Sequence, residues 1–172
     1  MNKKPISEEY KKQLIKYFFQ CVLSETSKII LFGIIFTRFH LFKEYIFALI
    51  LLILLRTNGG GLHFKHYSSC FIMSLTVLGL SILLGKTVCL SSFIICIILL
   101  TSIILAYKLV PVVSSNRPPA DNKPIKKSNK NTCLIVIMYF LSMCLVPINQ
   151  YLNIGIWIIV IDICHLLLAK LV

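Results

Sequence analysis

TVCLSSFIICIILLTSIILAYKLV, residues Thr87 to Val110, is the stretch that decides the fold. Its only charged residue is Lys108, next to the end. A bilayer's hydrocarbon core is about 30 Å thick, so a helix needs about 20 mainly apolar residues to cross it. This run is long enough. Shorter apolar segments flank it: Cys21–Thr37, Phe39–Leu55 and Phe71–Gly85 before it, Thr132–Val146 and Tyr151–Ala169 after it. The segments predict an all-α integral membrane protein of about six transmembrane helices. The 71–85 and 132–146 segments fall short of a full span, which calls for tilt, local thinning or a helix break. Residues 21–55 read either as two short spans or as one span plus a partly inserted helix.

Composition supports lipid as the solvent. The chain is 58% hydrophobic, well above a soluble domain's usual share, and its mean hydropathy is +0.87. Residues 1–172 read as a single membrane-embedded domain. The net charge is +12, from 18 Lys and Arg against six Asp and Glu. That excess does not imply nucleic acid, because the aromatic and basic pattern of nucleic-acid modules is absent. Basic residues also gather where a membrane protein faces the cytoplasm and its anionic lipid. Six spans with the N-terminus inside put residues 1–20, the Arg56–Ser69 connection, the basic loop 111–131 and Lys170 on the cytoplasmic side of a bacterial cell membrane. Only Arg38, Lys43 and Lys86 then fall outside. The inverted arrangement violates the positive-inside tendency.

The N-terminus does not read as a secretory signal, since lysines are scattered through it and no apolar core of adequate length precedes Cys21. Instead Ile6, Tyr10, Leu14, Tyr17, Phe18 and Cys21 recur at helical spacing. Residues 1–20 are therefore expected to form an amphipathic helix lying at the interface. In 111–131, Pro111, Pro118, Pro119 and Pro124 oppose a regular helix, and Lys123, Lys126, Lys127 and Lys130 make the stretch basic. It reads as a topology-fixing loop, or as a docking surface for an acidic peptide segment.

The chemistry concentrates in residues 56–70, between two apolar segments: Arg56-Thr57-Asn58-Gly59-Gly60-Gly61-Leu62-His63, then His66 and Cys70. A glycine run suits a tight turn or the close approach of another backbone. A cysteine becomes a strong nucleophile when a base such as histidine activates it. Seven residues on a straight helix span about 10 Å, so His63 reaches Cys70 only if the helix bends or ends between them. His66 lies four residues before Cys70, which spacing alone prefers. Zinc on His63, His66 and Cys70 is a further reading, but it lacks a fourth protein ligand and no H-E-x-x-H motif is present. Neither a metal nor a cofactor is expected. Cys89, Cys96, Cys133, Cys144 and Cys164 sit in or beside apolar runs and read as packing residues, not as a disulfide framework.

The pattern Arg56-x4-Gly61-x-His63-x6-Cys70 between two apolar helices resembles the active-site region of the accessory gene regulator B (AgrB) family, bacterial membrane cysteine endopeptidases. Chain length, span number, basic N-terminus and the proline- and lysine-rich loop before the last two spans are similar too. The resemblance implies His63 and Cys70 as the catalytic pair, in place of His66. It implies Arg56, Gly60 and Gly61 as support for substrate or transition state. It also implies an AgrD-like propeptide as substrate and a homodimer in the lipid membrane, for quorum sensing. In that family the propeptide's C-terminal tail is removed through a thioester on the cysteine. The acyl group then closes to a thiolactone or lactone autoinducing peptide.

Asp162 and His165, one turn apart in the last apolar segment, are a further candidate. Ionisable residues inside a span mark functional sites by default. Asp162 is a possible third catalytic member, or a partner for His165 or Lys170. The competing class is a non-enzymatic membrane carrier or peptide-export component, since glycine-rich breaks between spans also occur in transporters.

Overall fold

A computed structural model describes residues 8–60, 66–110, 125–147 and 149–171. They form six α-helices: α1 (Glu8–Arg38), α2 (Phe42–Gly59), α3 (Tyr67–Thr87), α4 (Ser92–Leu109), α5 (Ile125–Leu145) and α6 (Gln150–Leu171). Among these, α3, α4 and α6 are long and apolar enough to cross a bilayer, and Lys130–Leu145 of α5 is a shorter apolar helix. The protein is an all-α membrane protein. Helix α2 has the length but carries Lys43, Glu44 and Arg56 within it.

The chain divides into two compact units, residues 1–40 and 41–172. The first holds α1. The expected interfacial segment and the first apolar segment are one unbroken helix here, because no proline or glycine interrupts residues 8–32. Lys28, Phe32 and Phe36 form its buried stripe at four-residue spacing, and Lys28 pairs with Glu25 one turn back. Ile15 and Phe19 are exposed. Several of the apolar side chains that suggested the amphipathic face lie outside the described residues. His40, in the left-handed region with φ 58°, follows the end of α1.

The second unit packs α2–α6 together, and α6 is its hub, packed on α2, α3 and α4. Residues Asn153 to Leu166 are buried on almost every side, as befits a helix apolar all round. Its neighbours bury single stripes: Tyr45, Ala48, Leu52, Leu55 and Gly59 on α2, and Ile95, Leu99, Ser102, Ala106 and Leu109 on α4. Small residues let the backbones close in. A Cβ on Gly85 would lie 2.4–2.8 Å from Ile154, backbone included, and one on Gly155 would lie 2.1 Å from the Tyr139 hydroxyl.

Helix α5 begins at Ile125, so Lys126, Lys127 and Lys130 belong to its first turns, not to the loop. Pro111, Pro118, Pro119, Lys123 and Pro124 lie outside the described residues.

Candidate functional site

Two polar ties fix the register of α2 against α6. At one end Gln150 Nε2 donates to Glu44 Oε1 at 3.3 Å. At the other, Arg56 Nε lies 3.6 Å from Asp162 Oδ1. Both pairs are separated by 106 positions, so the helices run parallel in constant register. Helix α3 runs the opposite way, because Lys86 near its end pairs with Glu44 at 3.4 Å. Glu44 to Gly60 and Lys86 to Cys70 are equal steps along their helices, which brings Cys70 back level with Gly60. Packing of Gly85 on Ile154 fixes α3 against α6 independently and puts Cys70 level with Ala169. The ends of α2, α4 and α6 and the starts of α3 and α5 therefore share one face. It carries Lys108, Lys130 and Lys170. The opposite face carries Lys43, Glu44 and Lys86.

Cys70 lies in the first turn of α3, half-buried, with its N–H donating to the His66 carbonyl at 3.3 Å. His66 is the N-cap of α3, with extended backbone and an exposed side chain. The four-residue step to Cys70 thus starts at a cap, not on a helical face. Gly61 and His63 lie outside the described residues.

Gly60 ends α2. Its φ of 81° and ψ of −153° belong to a region that glycine alone adopts readily, and its N–H donates to the Arg56 carbonyl at 3.1 Å. At Gly59 a Cβ would meet Val110, Leu166 and Thr132 only at 3.7–3.9 Å, which is ordinary contact. One glycine of the run is thus demanded by backbone geometry, and its neighbour is not.

Arg56 is in the last turn of α2, and its Nε and Nη2 are buried without a hydrogen-bond partner among the described residues. At 3.6 Å the Asp162 contact is an ion pair and too long for a hydrogen bond. Asp162 and His165 are each only 3% exposed, and His165 Nε2 is buried without a partner. Asp162 pairs with Arg56, neither with His165 nor with Lys170, whose Nζ donates to the Lys108 carbonyl at 3.3 Å. Sequence analysis weighed Arg56 and Asp162 separately, and the fold brings them together. By the two registers Asp162 lies about 6–10 Å deeper than Cys70, at about 1.5 Å per residue.

The sequence reading missed Asn131 Nδ2, which donates to Asn58 Oδ1 at 3.1 Å and joins α5 to α2 on the basic face. It also missed Asn153, whose Nδ2 donates to the Gly85 and Val88 carbonyls at 2.8 and 2.7 Å, capping α3 at the far face. An asparagine inside an apolar run was the available signal. Among the described residues no three His, Cys, Asp or Glu side chains gather as a metal ligand set.

The Accessory gene regulator B family profile matches residues 1–167. Comparison with curated proteins and with solved structures finds no match. Because the profile runs over nearly the whole chain and not only the 56–70 motif, the protein belongs to the Accessory gene regulator B family and acts with an AgrD propeptide in quorum sensing.

Proposed function

We propose that the protein is a membrane cysteine endopeptidase that removes the C-terminal tail of an AgrD-like propeptide and permits its cyclisation. The observation that carries the reading is Cys70 in the first turn of α3, level with the glycine end of α2 on the basic face. Cys70 Sγ attacks the scissile carbonyl while His63 accepts the thiol proton. His63 then returns a proton to the leaving amine, and the tail departs as the C–N bond breaks. The propeptide remains as a thioester on Cys70. A cysteine or serine within it attacks the thioester carbonyl, closes a thiolactone or lactone ring and releases the Cys70 sulfur. Ring closure competes with hydrolysis, so a site at the membrane face that limits water favours the cyclic product. The Gly60 N–H is taken by the Arg56 carbonyl, so stabilisation of the oxyanion falls to Gly61 in this reading.

The basic face is assigned to the cytoplasm by its positive charge. A Cys placed at Lys123 should resist an impermeant thiol reagent on intact cells. Strong labelling there would reverse the orientation. A homodimer belongs to the same reading, and cross-linking in native membranes tests it.

Cys70→Ala should abolish propeptide cleavage while the protein still inserts, and Cys96→Ala should cleave nearly normally. Cleavage by Cys70→Ala would rule out a thiol nucleophile at this position. His63→Ala should slow acylation by about 10²–10⁴-fold, the usual contribution of a general base. His66→Ala should retain substantial activity.

A further inference from the structure

We infer that Asp162 is a positioning residue for Arg56. It holds the guanidinium inward, on the deep side of Cys70, where a remaining N–H group meets a carbonyl or carboxylate oxygen of the bound peptide. The inference deepens the reading above and rests on Cys70 carrying the acyl group.

An arginine in the last turn of a membrane helix ordinarily extends its head to the aqueous face. Arg56 does so only in part: its side chain is 28% exposed, but Nε and Nη2 are fully buried. Among the described residues the carboxylate paired with it is Asp162, itself 3% exposed and 106 positions away on the hub helix. A self-sufficient buried pair is bidentate, with the remaining donors hydrogen-bonded. This pair is a single long contact at 3.6 Å, and Nη2 has no acceptor. One turn further along α6, His165 Nε2 is also buried without a partner and lies within electrostatic reach of Arg56. Three buried nitrogens lack hydrogen-bond partners among the described residues, and the two on Arg56 can only donate, which describes a site short of an oxygen acceptor. A peptide supplies such oxygens at every residue.

The depth fits a peptide anchored at Cys70. Gly60 is level with Cys70, and Arg56 lies about 6 Å below Gly60. Extended chain covers about 3.3–3.6 Å per residue, so the contacted oxygen is two or three residues from the scissile bond.

The test uses the full-length protein in liposomes with its propeptide and reads two things: the rate of thioester formation on Cys70, and the rate of Cys70 alkylation by iodoacetamide. Asp162→Asn keeps the shape and removes the charge. Thioester formation should fall about 10²-fold, the usual penalty for misplacing a substrate contact by about 1 Å. Alkylation should stay at the wild-type rate, and Asp162→Glu should recover most of the loss. The double variant Arg56→Met with Asp162→Leu replaces the pair by apolar groups, which commonly preserves folding. It should insert and alkylate normally yet show the same loss of thioester. A double variant that forms thioester at the wild-type rate would make the pair mere packing and overturn the inference. So would Asp162→Asn that loses alkylation in step with acylation and is not rescued by Glu. Absence of thioester in the wild type would instead sink the peptidase reading, and this inference with it.

Discussion

The two ends of the α2–α6 pair are tied by the same device and finished in opposite ways. At the far face Glu44 accepts from Lys86 and Gln150, and Asn153 satisfies two carbonyls at the end of α3. Glycine there is jammed, with Ile154 backbone inside 3 Å of a Cβ on Gly85. At the basic face Asp162 is buried against a partly exposed Arg56, and three nitrogens, Arg56 Nε and Nη2 and His165 Nε2, lack hydrogen-bond partners among the described residues. Glycine there has room, because nothing approaches a Cβ on Gly59 closer than 3.7 Å. The far end is closed by packing, and there Asn153 Oδ1 is the buried side-chain atom left without a partner among the described residues. The end that carries Cys70 is open and short of partners. The proposed function rests on that open end, where the unpartnered nitrogens belong to charged or titratable side chains.

The largest effect should come from breaking the buried pair on one side only. Asp162→Ala leaves a partly buried guanidinium without its carboxylate and should cost about 3 kcal/mol of stability, the low end for breaking a buried pair, read from unfolding in detergent. A cost below about 1 kcal/mol would mean that Arg56 escapes to the face and that the pair is not held. Next in size is the jammed glycine. Gly85→Ala must part α3 from α6 and should cost about 1–3 kcal/mol. Gly79→Ala meets open space and should be neutral or stabilising by about 0.5–1 kcal/mol. Equal stabilities for the two variants would show that the far end is not closed by packing.

Of similar or smaller size is the contrast within the glycine run. Gly60→Ala enters a conformation reserved for glycine and should cost about 1–3 kcal/mol. Gly59→Ala should be tolerated. A reversed order in melting experiments would shift the demanded turn by one residue. The smallest effect is expected at the solvated tie. Glu44→Gln should change stability by less than about 1 kcal/mol, because Lys86 is 39% exposed and such pairs are screened. A loss as large as that of Asp162→Ala would erase the distinction between the two ends.

Much of this was legible in one dimension. Lipid solubility follows from run length and composition, so the helices and the basic connections came from simple counting. Boundaries were less secure. Phe39 was read into the second apolar segment, whereas α2 starts at Phe42. Lysines 126, 127 and 130 looked like loop because their charge and the prolines before them hid a helix start. The His66 spacing argument assumed a helical face where the chain forms a cap. The Arg56-to-Cys70 motif stood out because polar and glycine residues between apolar runs are conspicuous. Asp162 stood out for the same reason, but its partner did not.

The sequence by itself determined a helical membrane protein, the turn after α2 and the placing of Cys70 beside it. Lipid leaves no unsatisfied backbone inside it, so a long apolar run has little choice but helix. Only the tertiary structure decided that α6 is the hub and that Arg56 meets Asp162 across 106 positions. In a chain apolar on every side, periodicity does not tell which face turns inward. Helix rotation and register are set by side chains from distant segments interlocking, as Gly85 with Ile154 and Tyr139 with Gly155. The partner of a buried charge is fixed by that interlocking, and no local pattern encodes it.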